Sequence, residues 1–111
     1  IFSIERAELM VKHIIIWTLK SELSAEERQL VKKRIKEKLE GLKGQIDGLV
    51  DIHVQTELLG SSVGDLLLDS TFTDEAALKA YSVHPAHVAV ADGFVRPYTA
   101  ERRCADYKYE E

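Results

Sequence analysis

The stretch from Val11 to Leu19 constrains the fold more than any other segment, because it is apolar on both of its alternating faces. Its odd positions carry valine, histidine, isoleucine, tryptophan and leucine, while Ile14 and Ile16 lie between polar neighbours on the even face. Successive strand residues point to opposite sides of a sheet, so such a strand needs cover on both sides. The segment is therefore predicted to be a central strand or an interface strand.

In the rest of the chain, segments with the apolar periodicity of a helix alternate with segments that have the periodicity of a strand. Ser24-Ala-Glu-Glu27 matches a capping box, and the amphipathic pattern after it predicts a helix that ends near residues 41–44. A second strand is predicted with Val50, Ile52 and Val54 on its buried face. Thr73 or Asp74 is expected to cap a short helix. Turn residues and the alternation of apolar and polar residues predict strands at 50–57, 66–72 and 102–109 and helices at 74–81 and 85–95. In the last helix, His84 is expected to be the cap, Pro85 the first residue and Pro97 the residue that stops it.

The order strand, helix, strand, strand, helix, strand predicts the α+β class. It is the order of a ferredoxin-like split βαβ-βαβ sandwich, a four-stranded antiparallel sheet with helices on one face. The other face keeps Ile14 and Ile16 uncovered, and a homodimer formed through the sheets would cover them. Residues 10–109 are assigned to this single domain. Residues 1–9 are interpreted as a tag or an extension, with Met10 as the natural start.

Composition narrows the classes of partner. The chain has 111 residues, a net charge of −4 and one cysteine, which fits one small domain in a reducing, cytoplasmic compartment. Residues 20–43 carry a local charge of +3 without interleaved aromatic residues, so we expect a solvated helix and no nucleic-acid partner. The longest apolar runs are too short to span a membrane, and we expect no membrane partner.

Tyr81-Ser-Val-His84-Pro-Ala-His87 is the densest cluster of reactive side chains. A tyrosine and a histidine of this cluster near one cavity are a candidate donor and base, since a phenol polarises a carbonyl oxygen and an imidazole accepts a proton near neutral pH. Composition alone favours capping and packing roles for the same residues, with His84 as the cap of the following helix and Tyr81 and His87 as packing residues. The candidate substrate-binding residues are His13, Ile15, Trp17, Val31, Ile35 and His84.

The histidines lack the spacing of a metal site, so no metal ion and no cofactor are predicted. Cys104 has no paired cysteine, and it is expected to be a buried, inert thiol.

Three segments resemble the stress-responsive dimeric alpha-beta barrel family: Met10 to Lys20, Phe72 to Tyr81 and, above all, His84-Pro-Ala-His-Val88, with Asp106-Tyr107 also fitting. The resemblance implies a ferredoxin-like subunit and a homodimer whose sheets form a barrel. One plant member is a polyketide cyclase whose catalytic tyrosine and histidine match Tyr81 and His87, and whose cavity histidines match His13 and His84. The lining departs from that enzyme: Leu66 replaces a histidine, Trp17 a leucine and Val31 a phenylalanine.

The sequence is consistent with three functions. The first is a noncatalytic dimer that binds a small apolar ligand or a partner in a cavity between sheet and helices. The second is a cofactor-free cyclase or lyase that uses the Tyr81 and His87 pair on a carbonyl-containing ligand. The third is a cofactor-free monooxygenase, which the fold permits but no motif requires.

Overall fold

The sheet begins with a strand that extends through the middle of the molecule. A computed structural model describes residues 9–110, so the interpretation of residues 1–9 as a tag or extension lies outside the described residues, except that Leu9 begins the first strand. The elements in chain order are β1 (Leu9–Leu19), α1 (Ala25–Glu40), β2 (Leu49–Gln55), β3 (Leu66–Phe72), α2 (Glu75–Val83), α3 (Pro85–Val90), a π-helical turn (Ala91–Val95), a 3-10 turn (Arg96–Tyr98) and β4 (Thr99–Glu110).

The strand order confirms the ferredoxin-like prediction. The four strands lie in the order β2-β3-β1-β4, and all neighbours are antiparallel. β1 is central, as the apolar residues on both of its faces require, and β4 is an edge strand. The pairing places His13 between Ser70 of β3 and Asp106 of β4. One face of β1 packs under the helices in the core.

Helix α1 forms because its first turn is capped and one of its faces is apolar. The Ser24 hydroxyl accepts from the Glu27 amide, and the Glu27 carboxylate accepts from the Ser24 amide, which confirms the capping box. The helix ends at Gly41, as predicted. Its buried residues, Val31, Ile35 and Leu39, join the core against the sheet.

The prediction for the start of β2 was wrong. Val50 was expected on the buried face, but it is exposed, and Leu49 is buried in its place. The pairing of β2 with β3 shifts between Leu49 and Asp51, so an extra residue reverses the alternation there. Gly48 precedes the shift with φ of 84°, and a Cβ at this position would lie 2.4 Å from the Cβ of Ala77 on α2. A close helix contact therefore requires glycine here.

The segment after β3 is a helix in several pieces. Asp74, not Thr73, caps α2, and the Nδ1 atom of His84 accepts from the Ala86 amide to cap α3. Pro85 lies in the first turn of α3, as predicted. Pro97 does not mark the end of helical structure, because it lies within the 3-10 turn, and β4 begins at Thr99, three residues before the predicted Arg102.

Candidate active site

A cavity of about 360 Å³ lies between the helix-facing side of the sheet and the segment from α2 to β4. His13, Tyr81 and His87 line it together. Ile15 and Trp17 of β1 supply part of the apolar wall, and Ala91 and Val95 of the π-helical turn add to it, with Leu39 and Leu68 beside them. Pro85 interrupts the helix between Tyr81 and His87, and α3 brings the second ring back over the first.

Tyr81 and His87 are in direct contact. Their ring centroids are 4.1 Å apart and the planes are inclined by 33°. The Tyr81 hydroxyl and the His87 Nδ1 are both buried, and neither has a hydrogen-bond partner among residues 9–110. A buried polar atom without a partner costs about 1–3 kcal/mol, so unpaired atoms beside a cavity favour a role with a bound ligand.

Burial sets the protonation of both groups. Burial raises the pKa of the Tyr81 hydroxyl well above its ordinary value, although the nearby Arg102 guanidinium opposes the shift. Burial also lowers the pKa of His87. An interaction with the main chain of Ser82 raises this pKa, whereas the positive charges of Arg96 and Arg102 lower it further. At neutral pH the pair is therefore a protonated phenol beside a neutral imidazole, that is, a donor beside an acceptor.

His13 joins the cavity to a polar cluster on β4. Its Nδ1 lies 2.6 Å from an Asp106 carboxylate oxygen, and its ring is edge-on to Tyr81 with centroids 6.2 Å apart. Cys104 belongs to this cluster, since its Sγ is 3.3 Å from the same Asp106 oxygen. The expectation of a buried thiol was wrong: Cys104 is exposed, because β4 is an edge strand that the helices do not cover. Partial burial and Asp106 raise the pKa of its thiol.

Two arginines that the sequence pattern did not single out also line the cavity. Arg102 enters from β4, and Arg96 enters from the 3-10 turn, where it is ion-paired with Asp92. Strand alternation contained the signal for the β4 residues. Arg102, Cys104 and Asp106 are two apart, so they share a face, and antiparallel pairing with β1 brings that face beside His13.

The remaining predicted substrate-binding residues lie elsewhere. Val31 lines a separate cleft of about 330 Å³ with Phe94 and Tyr98. Ile35 is fully buried in the core, and His84 is occupied as the cap of α3. The structure thus brings His13, Ile15 and Trp17 together with Tyr81 and His87, and it leaves the other three outside the cavity lining.

A sequence model of the stress responsive A/B barrel domain family matches residues 11–109. The chain belongs to that family. Family membership, the split arrangement of the sheet and the His84-Pro-Ala-His87 segment agree with one another. No protein of curated function matches the chain in sequence.

Solved structures extend the comparison of folds. A dimeric protein of unknown function with a ferredoxin-like fold from Bacteroides fragilis is 30% identical, with a TM-score of 0.83 over 90% of this chain and 96% of that chain. A family protein from Mesorhizobium loti is 24% identical, with a TM-score of 0.70 over 89% and 95%. A hydroxynitrile lyase from Passiflora edulis is 20% identical, with a TM-score of 0.71 over 92% and 94%.

The helices of this family member are short relative to a bilayer. Among the described residues, none of the helices is long and apolar enough to cross a membrane.

Proposed function

We propose that this family member is a cofactor-independent lyase or cyclase that acts on a small carbonyl compound in the cavity of Tyr81 and His87. The observation that carries the proposal is the pair of buried polar atoms, the Tyr81 hydroxyl and the His87 Nδ1, left without partners among the described residues at one cavity. A ligand hydroxyl group would satisfy both atoms, because it accepts from the Tyr81 hydroxyl and donates to the His87 Nδ1, and a carbonyl oxygen would accept from the Tyr81 hydroxyl.

Each residue has a distinct role in this proposal. The His87 Nδ1 accepts a proton from the substrate, either from a carbon next to a carbonyl or from a hydroxyl group, and its lowered pKa keeps it unprotonated at pH 7. The Tyr81 hydroxyl donates a hydrogen bond to the oxygen on which negative charge develops. The positive charge of Arg102 at the same cavity favours that oxyanion further. Proton transfer of this kind needs no cofactor.

The volume of the cavity limits the size of the substrate. A volume of about 360 Å³ is near the lower end of ligand sites, so a compact aromatic or short-chain carbonyl compound fits better than a long-tailed one. Trp17 fills part of the space at the apolar wall and so limits the size of the substrate further. His13, Ile15 and Trp17 would contact the substrate directly.

Two resemblances support the reaction class. The plant olivetolic acid cyclase has a catalytic tyrosine and histidine that match Tyr81 and His87, although its cavity lining differs. The hydroxynitrile lyase from Passiflora edulis shares the fold and is named for a lyase reaction. The aldol-type cyclisation forms a carbon–carbon bond beside a carbonyl group, which is the chemistry assigned here to the Tyr81 and His87 pair.

We propose in addition that the chain forms a homodimer through the open face of the sheet. Ile14, Ile16 and Leu67 lie on that face, and each is only half-buried within one chain. The Bacteroides fragilis protein, which shares the fold over nearly its whole length, is dimeric. A second copy would cover the apolar strip and complete a barrel.

Deuterium exchange tests the catalytic proposal even though the natural substrate is unidentified. Small ketones, 2,4-pentanedione and an aromatic cyanohydrin are incubated with the protein in D₂O, and NMR follows exchange next to the carbonyl or cleavage of the cyanohydrin. We expect at least one probe to react, and Tyr81→Phe and His87→Gln each to slow it by about 100-fold or more. His53→Gln and Tyr109→Phe serve as controls, since neither side chain lines the cavity.

Two outcomes overturn the catalytic assignment. One is full activity in both cavity variants, which places the chemistry elsewhere. The other is a panel on which the wild-type protein binds probes in the cavity without exchange or cleavage, which supports the noncatalytic binding protein instead. Oxidation of a probe by O₂ would favour the cofactor-free monooxygenase.

A further inference from the structure

Three side chains of different chemistry meet beside the cavity: His13, Cys104 and Asp106. The His13 Nδ1 lies 2.6 Å from the Asp106 Oδ1 and 3.9 Å from the Cys104 Sγ, and the last two atoms are 3.3 Å apart. Nitrogen, sulfur and oxygen donors at these separations are the donor set of a borderline-soft divalent cation. Cys104 and Asp106 are not used in the proton transfer proposed above.

We propose that His13, Cys104 and Asp106 form a three-residue Zn²⁺ site at the junction of β1 and β4. A circle through three atoms with these separations has a radius of about 2.0 Å, close to the bond lengths of roughly 2.0–2.3 Å that Zn²⁺ forms with such donors. An ion slightly above the plane of the three atoms therefore reaches all of them. It would replace the short contact between His13 and Asp106 and use the deprotonated thiol.

Strand pairing fixes the backbone of the three residues, and packing fixes the ring of His13. His13 and Asp106 are direct partners across two hydrogen-bonded strands, and Cys104 is two residues before Asp106 on the same face. His13 is buried, and its ring is edge-on to Phe72 and Tyr81, so its position is set by packing. Cys104 and Asp106 are exposed and only have to rotate their side chains to bind.

The site is open on one side. His13 and Asp106 line a groove of about 480 Å³ between α2 and β4, and His13 also lines the smaller cavity of Tyr81 and His87. Three protein donors and one accessible position are the arrangement of Zn²⁺ sites that keep a water or a ligand oxygen. Mg²⁺ and Ca²⁺ prefer all-oxygen sets, so the thiolate and imidazole select against them.

One neighbouring charge opposes the ion. The Arg102 guanidinium interacts with Cys104, where it favours the thiolate but repels a cation. With both Cys104 and Asp106 ionised, the donors carry two negative charges against this one positive charge.

Titration with Zn²⁺ and with Co²⁺ as its spectroscopic substitute tests the inference. We expect one ion per chain and a sulfur-to-cobalt charge-transfer band, which only Cys104 can produce because it is the one cysteine in the sequence. Cys104→Ser should abolish the band and weaken Zn²⁺ binding by roughly 100-fold, and Asp106→Asn should weaken it by roughly tenfold. Zn²⁺ should also protect Cys104 from alkylation by iodoacetamide.

A second histidine–aspartate pair provides the control. His53 Nε2 lies 2.9 Å from an Asp51 oxygen on the surface. Asp51→Asn should leave Zn²⁺ affinity unchanged, and circular dichroism should show that the Cys104 and Asp106 variants remain folded. Absence of the cobalt band, equal affinity in Cys104→Ser, or one ion shared by two chains would each overturn the site. These readouts measure metal binding, so they are independent of whether the Tyr81 and His87 pair is catalytic.

Discussion

The two faces of β1 use similar residues for different purposes. On the helix-facing side, Val11, His13, Ile15, Trp17 and Leu19 are all buried within one chain. On the open side, Ile14 and Ile16 are as apolar as Ile15 but remain half-buried between Lys12 and Thr18. The helices of the same chain cover the first face, whereas on the second face the described residues leave Ile14 and Ile16 only half-buried. The first face therefore stabilises the subunit and forms the cavity, and the second is proposed to bind a second copy.

This difference separates folding from association. Changes on the helix-facing side should alter the stability of each subunit at any protein concentration. Changes on the open side should act through the dimer and therefore depend on concentration.

Ile14→Asp combined with Ile16→Asp should have the largest effect. The change places two unpaired charges on the proposed interface, and association should weaken by roughly 5 kcal/mol, enough to leave monomer at micromolar concentration. Sedimentation or light scattering measures the mass. Leu30→Asp combined with Val83→Asp adds the same charge at exposed positions on α1 and α2, away from the open face, and should leave the dimer intact. A wild-type protein that is already monomeric contradicts the assignment of the open face.

Ile15→Ala should destabilise the subunit by about 3 kcal/mol, since Ile15 is 4% exposed and its loss leaves a void in the core. Urea unfolding measures this cost, which should be the same in the monomeric background. Ile16→Ala is the matched control on the opposite face. Its effect should be smaller and should shrink on dilution as the dimer dissociates. Equal, concentration-independent costs would show that the two faces do not differ in the proposed way.

Protonation of His87 is expected to make the free energy of unfolding depend on pH. Burial lowers its pKa in the folded state, so the unfolded chain binds the proton more readily. Its contribution to stability is therefore fully present above the ordinary histidine pKa of about 6.5 and is lost as pH falls through the lower folded pKa. One proton limits the slope to about 1.4 kcal/mol per pH unit. His87→Gln should reduce the loss of unfolding free energy between pH 7.5 and 5.5, and an unchanged loss would contradict a desolvated His87.

The Lys12 and Asp69 pair on the open face should matter least. Lys12 Nζ lies 2.9 Å from the Asp69 carboxylate, whose hydrogen bond raises the pKa of the lysine. Both side chains are partly solvated, so a double-mutant cycle with Lys12→Met and Asp69→Asn in the monomeric background should give a coupling below about 1 kcal/mol. A coupling near 3 kcal/mol would mean that the face is dry even without a partner.

Local sequence signals predicted the elements that depend on local chemistry. The capping box at Ser24, the helix start at Pro85 with its His84 cap and the boundaries of β3 were confirmed, because each rests on hydrogen bonds or dihedral preferences within a few residues. The shift at Leu49 was not predictable, since it depends on how α2 docks on Gly48. The exposure of Cys104 was missed because alternation does not reveal which strand lies at the edge of a sheet.

The candidate site was only partly visible in the sequence for the same reason. Tyr81 and His87 are near in the chain, and their grouping followed from the Pro85 break. His13 and Asp106 are 93 residues apart, and only the pairing of β1 with β4 brings them into contact. Val31 and Ile35 have the apolar periodicity of a helix face, but periodicity does not distinguish a residue packed in the core from one that lines a cavity.

A crystal structure with 2,4-pentanedione bound would show whether the Tyr81 hydroxyl and the His87 Nδ1 are unpaired because they bind a substrate oxygen and its proton. We expect the probe in the cavity beneath α3, with one oxygen within hydrogen-bond distance of the Tyr81 hydroxyl and the His87 Nδ1 beside the acidic carbon or the enol. A probe bound elsewhere, or a cavity in which both atoms pair with protein groups, would contradict this assignment.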